Sequence, residues 1–204
     1  MNRDADGATV PGHDWLATRN HPAMTRAVLR AAALMTLLAT LPGAASAKTA
    51  EEIDLGVDAA LERFYADVKG GREFVESSKG VLVFPEVIQA GLVIGGEYGE
   101  GALRIGGETV EYYSTAAGSF GIQAGAQAKT IILVFMQQEA LEAFRASSGW
   151  EVGVDGSVAL VEVGAGGSFD TTTAQDPIVA FVFGRRGFMV NLSLEGSKFT
   201  KLVR

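Results

Sequence analysis

The stretch Gln89 to Gly107, "QAGLVIGGEYGEGALRIGG", holds the residues whose types and spacing come nearest to chemistry. It has seven glycines in nineteen positions and two carboxylates, Glu97 and Glu100. Glycine runs cradle phosphates when backbone amides face an anion at a helix N-terminus. A dinucleotide fingerprint needs G-x-G-x-x-G between a strand and a helix, and a P-loop needs G-x-x-x-x-G-K-[ST]. Here the glycines of "GGEYGEG" stand at 95, 96, 99 and 101 and fit neither spacing. The strand-like "ALRIGGETVEYY" follows, so no helix N-terminus is on offer, and the two glutamates would repel a phosphate. The run argues against a nucleotide site. Glu97 and Glu100 as an acid–base pair fare little better. Three apart on an extended strand they point to opposite faces, and only a turn or bulge at Gly99 would bring them together. The expectation is two solvated carboxylates on an edge or loop.

Other chemistry is thinner still. Asp155, Asp170 and Asp176 stand in turn contexts ("VDGS", "FDTTT", "QDP"), where Asp bonds backbone amides; a calcium loop wants more oxygen ligands at fixed spacing. The chain of 204 residues contains no cysteine, and both histidines, His13 and His21, lie near its start.

That position matters because "MTRAVLRAAALMTLLATLPGAASAKTAEE", from Met24, reads as an export signal. Arg26 and Arg30 form the positive region, Ala31 to Leu41 the apolar core, and Ala45-Ser46-Ala47 the A-x-A site, with cleavage expected between Ala47 and Lys48. The apolar run is shorter than the ~20 residues that span a bilayer. On this reading residues 1–23 are an upstream extension, 24–47 the signal peptide and 48–204 a single mature domain, periplasmic or secreted. That domain has 157 residues with 13 Lys+Arg against 21 Asp+Glu. It would hold neither His nor Cys. Ser-His-Asp and Cys-His nucleophiles, the usual zinc and copper ligand sets, disulfides and a lipidated cysteine anchor all drop out. No cofactor and no metal site is expected, and the acidic balance without interleaved aromatics argues against nucleic acid.

The elements that would position any site follow from periodicity. "KTAEEIDLGVDAALERFYADVKGG" reads as an amphipathic helix opened by the capping box Thr49/Glu52, with Ile53, Val57, Ala60, Leu61, Phe64 and Val68 on one face. Its other face is acidic, so it suits core packing better than an anionic membrane. After the short polar stretch "REFVESSK" comes Val81–Phe84, a buried strand that Pro85 should end. Short strands are expected from Leu92, over Leu103–Ile105 and over Thr109–Tyr113, with Gly106-Gly107 as a hairpin turn. Residues 119–136 supply one bent strand or two. "QQEALEAFRAS" is the second helix, with Ala140, Leu141 and Phe144 inward. "WEVGVDGS" alternates over Val152 and Val154, with Gly156 for a turn. A hairpin about Gly184-Arg185-Arg186-Gly187 closes the chain.

The pattern is α+β: a strongly curved, mainly antiparallel β-sheet or barrel-like sheet, an N-terminal amphipathic helix and one mid-chain helix. Glycines inside strand-like stretches mark bends, bulges or close backbone approach, as such a sheet needs.

Three segments, "SKGVLVFPEVIQAGLVIGGEYGEGALR", "GSFGIQAGAQAKTIILVFMQQEALEAF" and "DPIVAFVFGRRGFMVNLSLEGSKF", resemble in order the signature blocks of the SYLF domain family. The resemblance runs from about Glu51 to Leu202. It implies a non-enzymatic domain that binds lipid or membrane surfaces. Eukaryotic members bind phosphoinositides through a basic amphipathic N-terminal helix, and some bind actin; here that helix is acidic. The cations available for anionic head groups are Lys69, Arg72 and Lys79 after the first helix, and Arg185, Arg186 and Lys198 late in the chain. The leading expectation is therefore an exported envelope domain that binds a lipid or membrane surface. A second is an envelope structural or protein-interaction module, with envelope proteins as partners. A third, a carboxylate-only hydrolase around Glu97 and Glu100, is the weakest.

Overall fold

Thr49 opens the first helix in the way its neighbours require. In the computed structural model its side chain accepts from the Glu52 amide, and the Glu52 carboxylate accepts from the Thr49 amide at 2.7 Å. Helix α1 (Ala50–Asp67) turns Ile53, Val57, Leu61 and Phe64 inward as one stripe. The structure describes residues 47–91, 94–120, 125–161, 175–184, 187–188 and 194–204. The expected export signal, residues 24–46, and the segment around Asp170 lie outside them.

The "REFVESSK" stretch is not an irregular connection. It forms a second helix, α2 (Gly71–Ser77), entered through Gly70 at φ 81°. Phe74 supplies the reason: it is buried, and one apolar anchor suffices for a two-turn helix on an existing core. Helix α3 (Gln138–Ala146) buries Leu141 and Phe144 as its spacing predicts, with Ala140 partly buried against the same core.

Nine strands form one sheet among the described residues. They are β1 (Gly80–Gly91), β2 (Ile94–Ile105), β3 (Glu108–Phe120), β4 (Gly125–Phe135), β5 (Trp150–Glu151), β6 (Ala159–Leu160), β7 (Ile178–Gly184), β8 (Gly187–Phe188) and β9 (Lys198–Leu202). Their order is β5-β9-β3-β2-β1-β4-β7-β6, with β8 on β7. The ladders are antiparallel except β6 on β7. This is the α+β, mainly antiparallel, strongly curled sheet expected. Leu82, Phe84, Ile131, Leu133 and Phe135 face one core with α3. Val81, Val83, Ile132, Val134 and Phe181 face a second core under α1. The alternation of two apolar faces explains why these strands read as continuous apolar runs.

Three strand expectations are corrected. β1 does not stop at Pro85 but runs to Gly91, because Pro85 sits in a bulge where no ladder donor is required. The bulge sets Phe84 and Pro85 opposite Gly101 alone, and Thr130 Oγ1 donates to the Pro85 carbonyl at 2.8 Å. "GGEYGEGALRI" is one continuous strand rather than a loop followed by a short strand. The last segment is more than a hairpin: β9 crosses to the opposite side of the sheet and pairs with β3 and β5. By contrast, the Gly106-Gly107 turn is as expected, with φ values of 62° and 90°. Val152 meets Gly156 in a bridge beside a turn in which Asp155 accepts from the Glu151 amide.

Curvature has a visible cause. β1 and β9 are three strand steps apart, about 14 Å on a flat sheet, yet the Phe84 and Phe199 rings stack at 5.4 Å between centroids. Phe84 reaches across because β2 offers glycine beneath it: a Cβ on Gly101 would lie 2.8 Å from its ring and 2.1 Å from the Val83 carbonyl oxygen. The glycines of the opening stretch shape a sheet.

Candidate functional site

Neither glutamate of that stretch is solvated. Glu97 is 8% exposed, and its Oε2 lies 2.7 Å from Lys129 Nζ on the face that carries Ile131 and Leu133. Glu100, 5% exposed, turns to the other face. Its Oε1 accepts from Arg204 Nη2 at 2.7 Å and from the Tyr98 hydroxyl at 2.9 Å, and its Oε2 from the Lys48 amide at 3.0 Å. Burial works to raise the Glu100 carboxyl, but the hydrogen bonds from Tyr98, Arg204 and Lys48 outweigh it and hold it below the ordinary value. The two carboxylates face away from each other with their partners in place, so they do not converge on a common substrate atom.

The cations proposed for head groups separate into unlike environments. Lys69 and Arg72 flank the α1–α2 turn. Arg72 is held by Glu62 at 3.2 Å and lies 4.2 Å from the Tyr65 ring centroid. It borders a groove of about 610 Å³ between the helices and the β1–β2 strands, also lined by Leu61, Tyr65, Val75 and Arg104. Arg104 in turn pairs with Asp58, so the acids of α1 neutralise both guanidinium groups of the groove. Lys69 is exposed and, among the described residues, has no ion-pair partner. Lys79 is exposed just ahead of β1, where its amide donates to the Phe135 carbonyl. Arg185 and Arg186 lie outside the described residues. The four described cations do not form one cluster.

Lys198 proves the informative one. It pairs with Glu151 on one side and Ala116 on the other, Ala116 with Tyr98, Tyr98 with Ile88 and Ile88 with Ala128, a single row across six strands. Lys198, Ala116, Tyr98 and Ile88 are all exposed, the last two at 51% and 49%. This row lies past the N-terminus of α1, on the face that α1 covers farther along. Ala90, Gly96 and Gly118 continue it as small exposed positions. Between Ile88 and Ala116 the sheet therefore presents an uncharged, part-apolar surface, with Lys198 and then Glu151 at one side. β1 ends and β2 begins at this same end, and β3 ends and β4 begins there too. β7 also leaves the sheet toward this end, since Gly184 pairs with Lys129 next to Ala128.

Sequence reasoning missed Ile88 and Tyr98. Period-two alternation from the core residue Val87 would have set Ile88 outward, but Pro85 appeared to have ended the strand. Among the described residues, no three His, Cys, Asp or Glu side chains group as metal ligands, and no helix is long and apolar enough to cross a membrane.

The fold and this surface define an α+β domain organised around a two-sided, glycine-bent sheet. Residues 116–202 match the family model Ysc84, described as "Las17-binding protein actin regulator". That family is the SYLF domain, and the match over residues 116–202 supports a SYLF assignment. At family level that match supports a membrane- or lipid-associated domain. No curated protein matches the chain.

Proposed function

We propose that the protein is a non-enzymatic, exported envelope domain that binds a lipid or membrane surface through the far end of its sheet. One observation carries this reading: the exposed row Ile88–Tyr98–Ala116 is free of charge and is flanked by Lys198, beyond which Glu151 of β5 follows. Contiguous apolar surface on a folded domain marks a contact site, and a flanking cation suits the head-group region. Helix α1 is the poorer candidate. Its apolar stripe is spent on the core, and its acids Asp54 and Asp58 bond Tyr112, Thr109 and Arg104 of the sheet.

The test is co-sedimentation of the exported protein with neutral and anionic vesicles at low salt. Binding is expected, and Ile88→Asp should lower it at least several-fold with the fold intact. An absence of association with vesicles of every composition would sink the reading.

A second reading, an envelope protein-interaction module, draws on the family description, which names a protein partner. Pull-down from envelope extracts with retention unaffected by lipid removal would favour it.

A further inference from the structure

We infer that Glu100 is a receptor for the α-ammonium group of a mature N-terminus at Lys48, so that removal of the preceding segment tightens the fold. Two independent observations meet at this residue. The A-x-A pattern Ala45-Ser46-Ala47 points to cleavage of the Ala47–Lys48 bond. The backbone nitrogen of Lys48, and not of a neighbour, lies 3.0 Å from the Oε2 of a buried carboxylate.

The surroundings suit a cation at that nitrogen. Glu100 Oε1 is occupied by Arg204 and Tyr98, which leaves Oε2 for Lys48. The Lys48 side chain points elsewhere, to Glu86 at 3.3 Å, so a second carboxylate stands near the same residue. Thr49 caps α1 directly after it, which fixes where the nitrogen sits.

Hydrolysis of the Ala47–Lys48 peptide bond consumes one water, leaves a carboxylate on Ala47 and frees an amino group on Lys48, which takes up a proton. The neutral amide donor at Oε2 becomes an ammonium donor, and hydrogen bonds with both partners charged are about twice as strong. The first residue of the mature domain and its Arg204 side chain would then clasp one buried carboxylate.

The inference rests on the export reading, and the two fail separately. The intact mass and N-terminal sequence of the exported protein should show a start at Lys48. Its thermal midpoint should exceed that of an uncleaved Ala47→Phe precursor by a few degrees. Glu100→Gln should abolish that difference, because the amide side chain keeps the acceptor but not the charge. Should Glu100→Gln fail to fold, selective acetylation of the Lys48 α-amino group serves instead, and it should lower the midpoint to that of the precursor. A start at Met1 or Met24 overturns export and the clasp together. A start at Lys48 with equal midpoints, or a difference that survives Glu100→Gln or acetylation, overturns the clasp alone.

Discussion

Lys129 Nζ and Glu97 Oε2 lie 2.7 Å apart with both side chains almost fully buried. They stand on β4 and β2 with β1 between them, on the face shared by Phe84, Ile131 and Leu133. Removing one member leaves a charge that water cannot reach. Lys129→Met should cost about 3–5 kcal/mol, and the double variant Glu97→Gln/Lys129→Met should recover most of that loss. Urea unfolding of the four proteins gives the coupling. Strictly additive losses would mean that the two groups do not share one energetic unit.

Gly101 and Gly118 look alike in sequence and differ in surroundings. A Cβ on Gly101 would meet the Val83 carbonyl oxygen at 2.1 Å, whereas one on Gly118 meets nothing within 4 Å. Gly101→Ala is expected to lower stability by about 3 kcal/mol or more, since the backbone of the bulge must move. Gly118→Ala should be neutral or gain up to about 1 kcal/mol by restricting the unfolded chain. Equal effects in thermal melts would refute the close-approach account.

Glu111 predicts an acid limb. Burial works to raise its carboxyl, but hydrogen bonds from Arg145, Lys201 and Tyr113 prevail and bring it from 4.5 to about 2. A depressed folded value contributes stability that is complete above the ordinary 4.5 and is lost as pH falls toward 2. With Arg145 and Lys201 both open to solvent, about 1–2 kcal/mol is a fair size after screening. Wild type and Glu111→Gln should therefore differ at pH 7 and converge toward pH 2. A constant gap across that window would count against the cluster.

Arg72 and Lys198 separate the two cationic regions. Glu62 already holds Arg72 at 3.2 Å, while Lys198 borders the exposed row. In vesicle binding, Lys198→Glu should weaken association with anionic lipid more than Arg72→Glu does. The reverse order would move the contact surface to the helices.

Much of the fold was legible in the chain. The Thr49/Glu52 box, the 3.6-residue stripe of α1, the Gly106-Gly107 turn and the α+β pattern rest on local spacing, and local spacing is what a sequence displays. Pro85 misled because a proline ends a ladder except at a bulge, and the bulge exists only once Gly101 lies across from it. "REFVESSK" misled because Phe74 becomes an anchor only against a core brought from elsewhere.

The site was less legible for the same reason. By itself the sequence determined that the glycine run could not hold a phosphate, because spacing, charge and the following strand all opposed it. It also supplied the A-x-A pattern Ala45-Ser46-Ala47, from which export is expected, and the family resemblance. Only the tertiary structure decided that Glu97 and Glu100 are buried on opposite faces, with Lys129 on one side and with Arg204 and Lys48 on the other. Only the register aligned Lys198 with Ile88, and placed Phe84 over Gly101 to meet Phe199. Those relationships join residues dozens of positions apart, and pairing across strands, which sets them, leaves no periodic trace along the chain.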